Sequence, residues 1–589
     1  MCRVERVKEG WHLVILFIAT ILIAASGHYL INYYKYGGTL YVENYEVYFS
    51  PDGNLTEKYD YVVNGNYRYL YRTWTAPLLY NKDLNEPFIR VLKINGPCIP
   101  YVKDYYGNVY AAEYQSIIQS EAYLNEVGCF CPEGYEKGKH TIEFEYVIYP
   151  PVEYDNEFYH INLKLADKHI PYRNVAIFID NSSGNVVKIY AHPPLSIKKY
   201  DDKYLIEGKS RRNGLIEVEM LLNSANPKFA YYTENVKEKT VDANEAYYLK
   251  YRVAYFAANT IKAAVLFFPL IMLVIYYING RERKFVVPKY LSFVPKKRKP
   301  WLVNLVFKKD AMDFDMDGFY ATLLDLQRRG VIEIEAYGKE VRIRIKDYNF
   351  DELDEYEKKV MLFLRKYSSN GTFSTEIIKD RIKAYEGNVY ALSKIKSDFD
   401  EIVNVRNGSS FIINGRKLML KFFAISLLIF FISGIAYAIG YKTYPILLDA
   451  LLYSILLPIQ FLLTVIAPST LFGRWKKDYY KEKMEWDAFK NFLLDMAHLE
   501  KYEAEDIAIW KEWLIYATTL GIGKKVAKQF KKLKIDIPEV DTVPYLYVAF
   551  IATQHTLSRT YSASTSSGGI GGGGFGAGGG FGGGGAGGR

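Results

Sequence analysis

The residues able to do chemistry are few, and most of them fall in one stretch. Three of the four cysteines, Cys98, Cys129 and Cys131, lie there, and the fourth is Cys2. A disulfide can join Cys98 to Cys129 or to Cys131, and the spacing does not choose between them. Free buried thiols are the alternative. A metal on Cys129-Phe130-Cys131 is disfavoured, because a structural zinc needs four ligands. His140, His160, His169 and His192 show no H-x-x-x-H spacing and no cysteine partners, so they read as surface or hydrogen-bonded histidines. Asn54-Leu55-Thr56 and Asn181-Ser182-Ser183 fit the glycosylation acceptor pattern, which makes Asn54 and Asn181 candidate positions if this stretch is exported. There is no P-loop, no G-x-S-x-G, no H-E-x-x-H and no kinase signature. The expectation is therefore a non-enzymatic chain with no catalytic residue, no metal and no cofactor.

The elements around these residues set the topology. Four apolar blocks, Leu13 to Tyr34, Ala263 to Gly280, Phe422 to Gly440 and Ala450 to Phe472, approach or exceed the roughly 20 residues that a helix needs to cross a bilayer. The formal net charge of +9 is concentrated beside them. Arg3, Arg6 and Lys8 precede the first block, and Arg281, Arg283, Lys284 and Lys296 to Lys299 follow the second. Arg416, Lys417 and Lys421 precede the third, and Arg474, Lys476 and Lys477 follow the fourth. Basic flanks stay in the cytoplasm. All four flanks then agree on one topology: N-terminus in, 35–255 out, 281–416 in, a short outer turn, and 473–589 in. The first block also fits a cleavable signal peptide ending near Ala24-Ala25-Ser26. Pro269, Pro458 and Pro468 predict kinks. Asp449 is the ionisable residue nearest the membrane interior, with Lys442 and water as its expected surroundings.

The fold class expected is a multi-domain membrane protein. Residues 1–34 are a signal-anchor or signal peptide. Residues 35–255, with Thr39–Phe49 and His140–Tyr149 as alternating β-formers, are an extracellular all-β sandwich domain. Membrane helices follow at 256–280, 417–440 and 446–472. Residues 281–416 are a cytoplasmic α+β winged-helix-like domain, read from the helix around Phe319 to Gly330 and the hairpin Val331–Glu335 and Val341–Ile345. Arg328, Arg329, Arg342 and Arg344 could meet phosphates, but Glu333, Glu335 and Glu340 interleave them, so nucleic acid is disfavoured. Residues 473–560 are a cytoplasmic helical region with an aromatic stripe at Trp486, Phe489, Phe492, Leu493 and Met496. The basic run Lys524 to Lys534 suits anionic lipid or water. Val543 to Thr553 is too short to span. Residues 561–589 are a disordered Gly-rich tail, in which Phe575 and Phe581 could act as stickers for weak contacts.

The chain resembles the YciQ-like predicted membrane proteins, domain of unknown function 2207. The resemblance is carried by Ala321-Thr322-Leu323-Leu324-Asp325-Leu326…Arg329-Gly330 with its hairpin, by Trp510…Trp513-Leu514-Ile515-Tyr516-Ala517…Leu520-Gly521, and by the Gly tract. It runs nearly end to end and implies no established activity or catalytic residue. The function expected is a non-enzymatic cell-membrane sensor, scaffold or assembly protein. Its expected partners are membrane lipid and a protein or envelope ligand, with an oligomer allowed. A transporter or channel subunit and a membrane-tethered winged-helix regulator are the alternatives.

Overall fold

The computed structural model describes residues 3–337, 340–403, 405, 410–495, 507–535, 537–565 and 586–589. It divides into two compact units. One comprises Ala19–Phe268, Ala424–Gln460 and Gly576–Arg589, and the other Met1–Ile18, Pro269–Phe423 and Phe461–Phe575.

The first unit is built on strands β1 (Leu40–Phe49), β2 (Asn54–Val63), β3 (Tyr69–Thr73), β4 (Leu78–Tyr80), β5 (Phe88–Asn95), β6 (Ile99–Lys103), β7 (Val109–Ala111), β8 (Glu126–Phe130), β9 (Gly138–Tyr149), β10 (Pro151–Tyr154), β11 (Tyr159–Ala166), β12 (Tyr172–Asp180), β13 (Val186–His192), β14 (Ser196–Lys199), β15 (Lys203–Ser210), β16 (Ile216–Leu222) and β17 (Phe229–Tyr232). An eight-stranded sheet runs β14-β15-β12-β1-β2-β9-β5-β4, and a five-stranded sheet runs β13-β16-β11-β10-β17. A third sheet runs β7-β6-β8-β3 and ends on a strand from the C-terminus, Ala586–Gly588. Most neighbours are antiparallel, but β1 pairs with β12, β10 with β17 and β4 with β5 in parallel. The sheets are therefore mixed.

Alternation explains which faces close. In β9, Ile142, Phe144, Tyr146 and Ile148 are buried while their neighbours are not. Successive side chains on a strand point to opposite faces, so one face is committed to the core. That core joins all three sheets through Val42, Tyr59, Val127, Phe144, Ile161 and Val218. Burying each such side chain stabilises the fold by about 1.5–3 kcal/mol. Within the core lies an ion pair, Arg72 Nε to Glu57 at 3.2 Å, with side chains 2% and 0% exposed. The Arg72 guanidinium stacks on Trp74 at 3.7 Å, and Tyr45 donates to Glu57. A smaller cluster of Tyr69, Tyr101, Ile118 and Phe130 sits under the short helix Gln115–Glu121.

Among the described residues, three helices are long and apolar enough to cross a membrane: Gly10–Tyr36, Gly415–Gly440 and Leu447–Ile466. Val236–Leu266 together with Phe268–Gly280 makes a fourth if that broken pair is one span. The break falls at Phe267, beside Pro269, and Pro458 lies inside Leu447–Ile466. The helix begins at Val236, well before the expected end of the β region at 255. The strand signals stop at Tyr232, and Val236, Thr240 and Asn244 are buried at a four-residue spacing that makes one helical face.

The second unit contains helix Met316–Arg328, stopped at Gly330 with φ +74°, a left-handed position that suits glycine. Strands β18 (Ile332–Tyr337) and β19 (Glu340–Ile345) pair in antiparallel and join β20 (Ser368–Ser369) and β21 (Thr372–Ser374) in the order β18-β19-β21-β20. The hairpin residues Gly338 and Lys339, and Met496 of the aromatic stripe, lie outside the described residues. Residues 281–416 and 473–560, read from sequence as separate regions, share one core that includes Phe319, Ile343, Phe373, Trp486, Trp513 and Phe550. The helix Pro538–Thr565 supplies Phe550, which meets Phe319, Tyr320 and Phe373 at 5.2, 5.9 and 5.9 Å between ring centroids. Val543, Leu546 and Ala549 are buried beside it, so the short apolar run is packed core.

Candidate functional site

Two histidines without any motif spacing come together where the helix Val236–Leu266 meets β11, β13 and β16. Three adjacent strands place them: His160 pairs with Leu221 and His192 with Glu217 in the ladder registers, and Glu219 pairs with Asn162 and Tyr190. His160 contacts Glu153 through Nδ1 at 3.0 Å and Glu219 through Nε2 at 2.7 Å. His192 contacts Glu217 through Nδ1 at 2.9 Å and Asn244 Oδ1 through Nε2 at 2.8 Å. Asn244 Nδ2 then donates to Glu219 at 2.7 Å and to Thr240 O at 2.8 Å. In His160 both ring nitrogens face carboxylates, and in His192 one faces a carboxylate and the other an amide oxygen. That arrangement suits the imidazolium, whose two N–H groups both donate.

The electrostatics agree. Burial alone would lower His160, but its bonds to Glu219 and Glu153 outweigh burial and hold it above the usual imidazole value. Burial likewise opposes the charge on His192, and Glu217, Asn244 and Glu219 reverse the balance. Burial would raise Glu219, yet the bonds from His160 and Asn244 keep its carboxyl below the usual range. Asn244 is 1% exposed and is the helix's contribution to this cluster. Two further bonds fix the helix. Asp155 in the β10–β11 turn accepts from Val236 N at 2.9 Å, and Tyr248 Oη accepts from Ala191 N at 3.0 Å. The cluster can hold charge and bonds the five-stranded sheet to the helix. Among the described residues, no group of three or more His, Cys, Asp or Glu side chains is arranged to hold a metal ion.

The other residues singled out from the sequence fall elsewhere. Cys98 is joined to Cys131, with Cα atoms 5.2 Å apart, and Cys129 is a buried free thiol that burial pushes up to about 12. Asn54 is exposed at the start of β2. Asn181 is 6% exposed and accepts from Val186 N at 2.8 Å, so its amide holds a turn. His169 is buried between Ile170 O and Gly214 O, and His140 contacts Glu136 O at the surface. Asp449 pairs with Lys35 at 2.8 Å instead of turning towards Lys442. Arg328 and Arg329 pair with Asp325, Arg342 with Glu340, and Arg344 with Glu333 and Glu335, so each of these four arginines faces a carboxylate. In the basic run, Lys531 pairs with Asp541 and Lys524 lies over the Tyr547 ring at 4.2 Å.

A cleft of about 270 Å³ opens in the β region beside the buried ion pair, lined by Arg72, Trp74, Phe88, Tyr149, Lys164 and Asp167 among others. The sequence carried no signal for it, because its walls come from segments scattered between Leu55 and Asp167.

No curated protein matches the chain. Among solved structures, an M1 zinc metallopeptidase from Deinococcus radiodurans is 8% identical, with a TM-score of 0.19, over 32% of this chain and 43% of that one. A two-domain M1 zinc metallopeptidase mutant bound to L-tryptophan is 9% identical, with a TM-score of 0.18, over 32% and 44%. The chain spans less than half the length of these structures, and a likeness of this size carries no argument. The profile described as Predicted membrane protein (DUF2207) N-terminal domain matches residues 41–222, and that described as the C-terminal domain matches residues 287–530. Those segments together make up more than half of the sequence, and the chain belongs to the DUF2207 family of predicted membrane proteins.

Proposed function

We propose that this multi-pass membrane protein is a non-enzymatic sensor or scaffold of the cell membrane. In this reading the β region is an exported sandwich that receives a ligand or partner. The second unit, a winged-helix-like fold, works from the cytoplasmic side. The basic flanks of the apolar blocks support that sidedness. The observation that carries the proposal is the bonding of Asn244 to both Glu219 and His192. It ties the five-stranded sheet to the helix that forms the first half of the broken apolar pair. A change at the sheets then biases the helix through differential contacts, which is what coupling requires. The test is hydrogen exchange on the intact protein in lipid nanodiscs. Asn244→Leu is expected to speed exchange in β13, β16 and residues 236–255 together. Change confined to the helix alone would contradict the relay.

A transporter subunit is the second reading, and one set of contacts favours it. Within the first unit, Lys35 pairs with Asp449, His28 contacts Tyr453, and Gln460 donates to Thr20 O and Val265 O. Ionisable and polar groups facing each other between apolar helices are the usual furniture of a transport path. Ion flux in proteoliposomes that disappears with Asp449→Asn would move this reading ahead.

A further inference from the structure

The tail was expected to be disordered throughout, but its last four residues are seated in the β region. Ala586–Gly588 pairs in antiparallel with β3, with Ala586 opposite Arg72 and Gly588 opposite Leu70. The backbone is bonded on both edges. Ile170 N donates to Ala586 O at 2.9 Å, and Arg68 N and Tyr69 N donate to Arg589 O at 2.7 and 2.9 Å. An added strand gains ladder bonds from an existing sheet edge.

The seat is specific for small residues followed by arginine. A Cβ on Gly587 would come 2.5 Å from the Tyr71 hydroxyl, and one on Gly588 would come 2.5 Å from Leu40 Cδ2 and 2.9 Å from Tyr69 O. Ala586 is 2% exposed. Beyond the glycines, the Arg589 guanidinium enters a cage of three tyrosine rings, at 4.4 Å from Tyr69, 4.8 Å from Tyr71 and 4.7 Å from Tyr123. Its Nη2 meets Glu126 Oε1 at 2.6 Å and its Nη1 meets Oε2 at 3.2 Å. Glu126 is 0% exposed and also accepts from Tyr101 Oη and Tyr123 N. A buried carboxylate without a cation is strongly unfavourable. The fold therefore holds in reserve a charge for an arginine to meet, and aromatic faces to sandwich it.

We propose that the edge of β3, with Glu126, Tyr69, Tyr71 and Tyr123, is a strand-accepting recognition site. Its ligand is an extended Ala-Gly-Gly-Arg segment, supplied by residues 586–589 of the same chain. Arg589 and Glu126 then share one compartment, so the end of the tail lies on the β region's face of the membrane. Because helix Pro538–Thr565 packs in the second unit's core, a seated tail end and a second unit on the opposite face of the membrane are competing readings, and protection of residues 586–589 would count against the sidedness of the proposed role. The site is independent of the His160–Glu219–His192 cluster, so either idea can fail alone.

The test is hydrogen exchange by mass spectrometry on the full chain in detergent. Residues 586–589 and the amides of Arg68, Tyr69 and Ile170 are expected to be protected. Arg589→Ala, and separately Gly587→Val, should speed exchange at all of these sites by about tenfold or more. Adding Ala-Gly-Gly-Arg peptide to the Gly587→Val chain should restore protection at Arg68 and Tyr69. Exchange of residues 586–589 at the free-peptide rate in the unaltered chain would overturn the proposal. So would protection that is lost on dilution, which marks a second copy's tail, or indifference to both substitutions.

Discussion

Asn244 donates through Nδ2 to Glu219 over 2.7 Å, and this single bond joins the helix Val236–Leu266 to the middle of β16. Glu219 is 10% exposed and accepts from His160 on its other oxygen, so its charge is fully engaged. Asn244→Leu fills the space but removes a donor from Glu219 and an acceptor from His192. Leaving buried polar groups short of a partner costs about 1–3 kcal/mol. The expected result is a lower denaturant midpoint for the β region. Lys239→Ala, on the exposed side of the same helix, should leave it unchanged.

The pH dependence follows from the same cluster. His160 faces Glu153 and Glu219, while His192 faces Glu217, Glu219, Asn244 and the rings of Tyr247 and Tyr248. Both histidines are raised, so their contribution is complete below about pH 6.5, the unfolded value. It is lost as pH rises through the folded values above that. Glu219 is lowered, so its contribution holds above about pH 4.3 and is lost as pH falls further. His169 works in the opposite sense, because burial pushes it down to about 4 and acid must charge it. The wild type minus a His160→Gln/His192→Gln double variant isolates the pair. That difference in melting temperature should shrink steadily from pH 6 to pH 8.

The disulfide makes a separate prediction. Cys98 and Cys131 are 33 residues apart, and closing a loop of that size contributes about 3–4 kcal/mol in the chain-entropy account. Cys98→Ser should lower the thermal midpoint of the β region. Iodoacetamide should leave Cys129 unmodified in the native protein, since the thiol is buried and resists ionisation.

Phe550 joins the two segments of the second unit. Phe550→Ala opens a cavity among Phe319, Tyr320 and Phe373 and should cost about 3–5 kcal/mol. Limited proteolysis of the intact protein should then cut both within 316–403 and within 507–565. A loss confined to the C-terminal segment would mean that the shared core is not cooperative.

The β18–β19 hairpin and the helix before it predict a negative result. Arg344 and Lys346 both approach Glu333, and Arg329 also meets the buried Glu357. With these cations committed, the intact protein should not retard duplex DNA in a gel at about 0.15 M salt, where phosphate contacts decide binding.

Periodicity and length made much of this fold legible. The alternation in β9 states its own burial, and the run of apolar residues in Leu447–Ile466 states a length that can cross a membrane. Long-range partnerships were not legible. Nothing in the order of His160, His192, Glu219 and Asn244 says that three strands and a helix converge, because pairing register is a tertiary outcome. The Asp449–Lys35 pair joins residues 414 positions apart. The tail failed to announce itself for a different reason. Glycine carries no side-chain signal, and its fit shows only when Tyr71 and Leu40 stand where a Cβ would go. Val543–Thr553 was ambiguous because a short apolar run fits a core helix and an interfacial one equally.

The sidedness of the β region is the premise of the proposed role, and one labelling experiment meets it directly. On a Cys2→Ser background, Asp201→Cys lies in the exposed turn between β14 and β15, and Tyr390→Cys replaces a side chain that is 80% exposed. An impermeant maleimide applied to intact cells should label the first and spare the second until the membrane is opened. Equal labelling of both before opening would contradict the account.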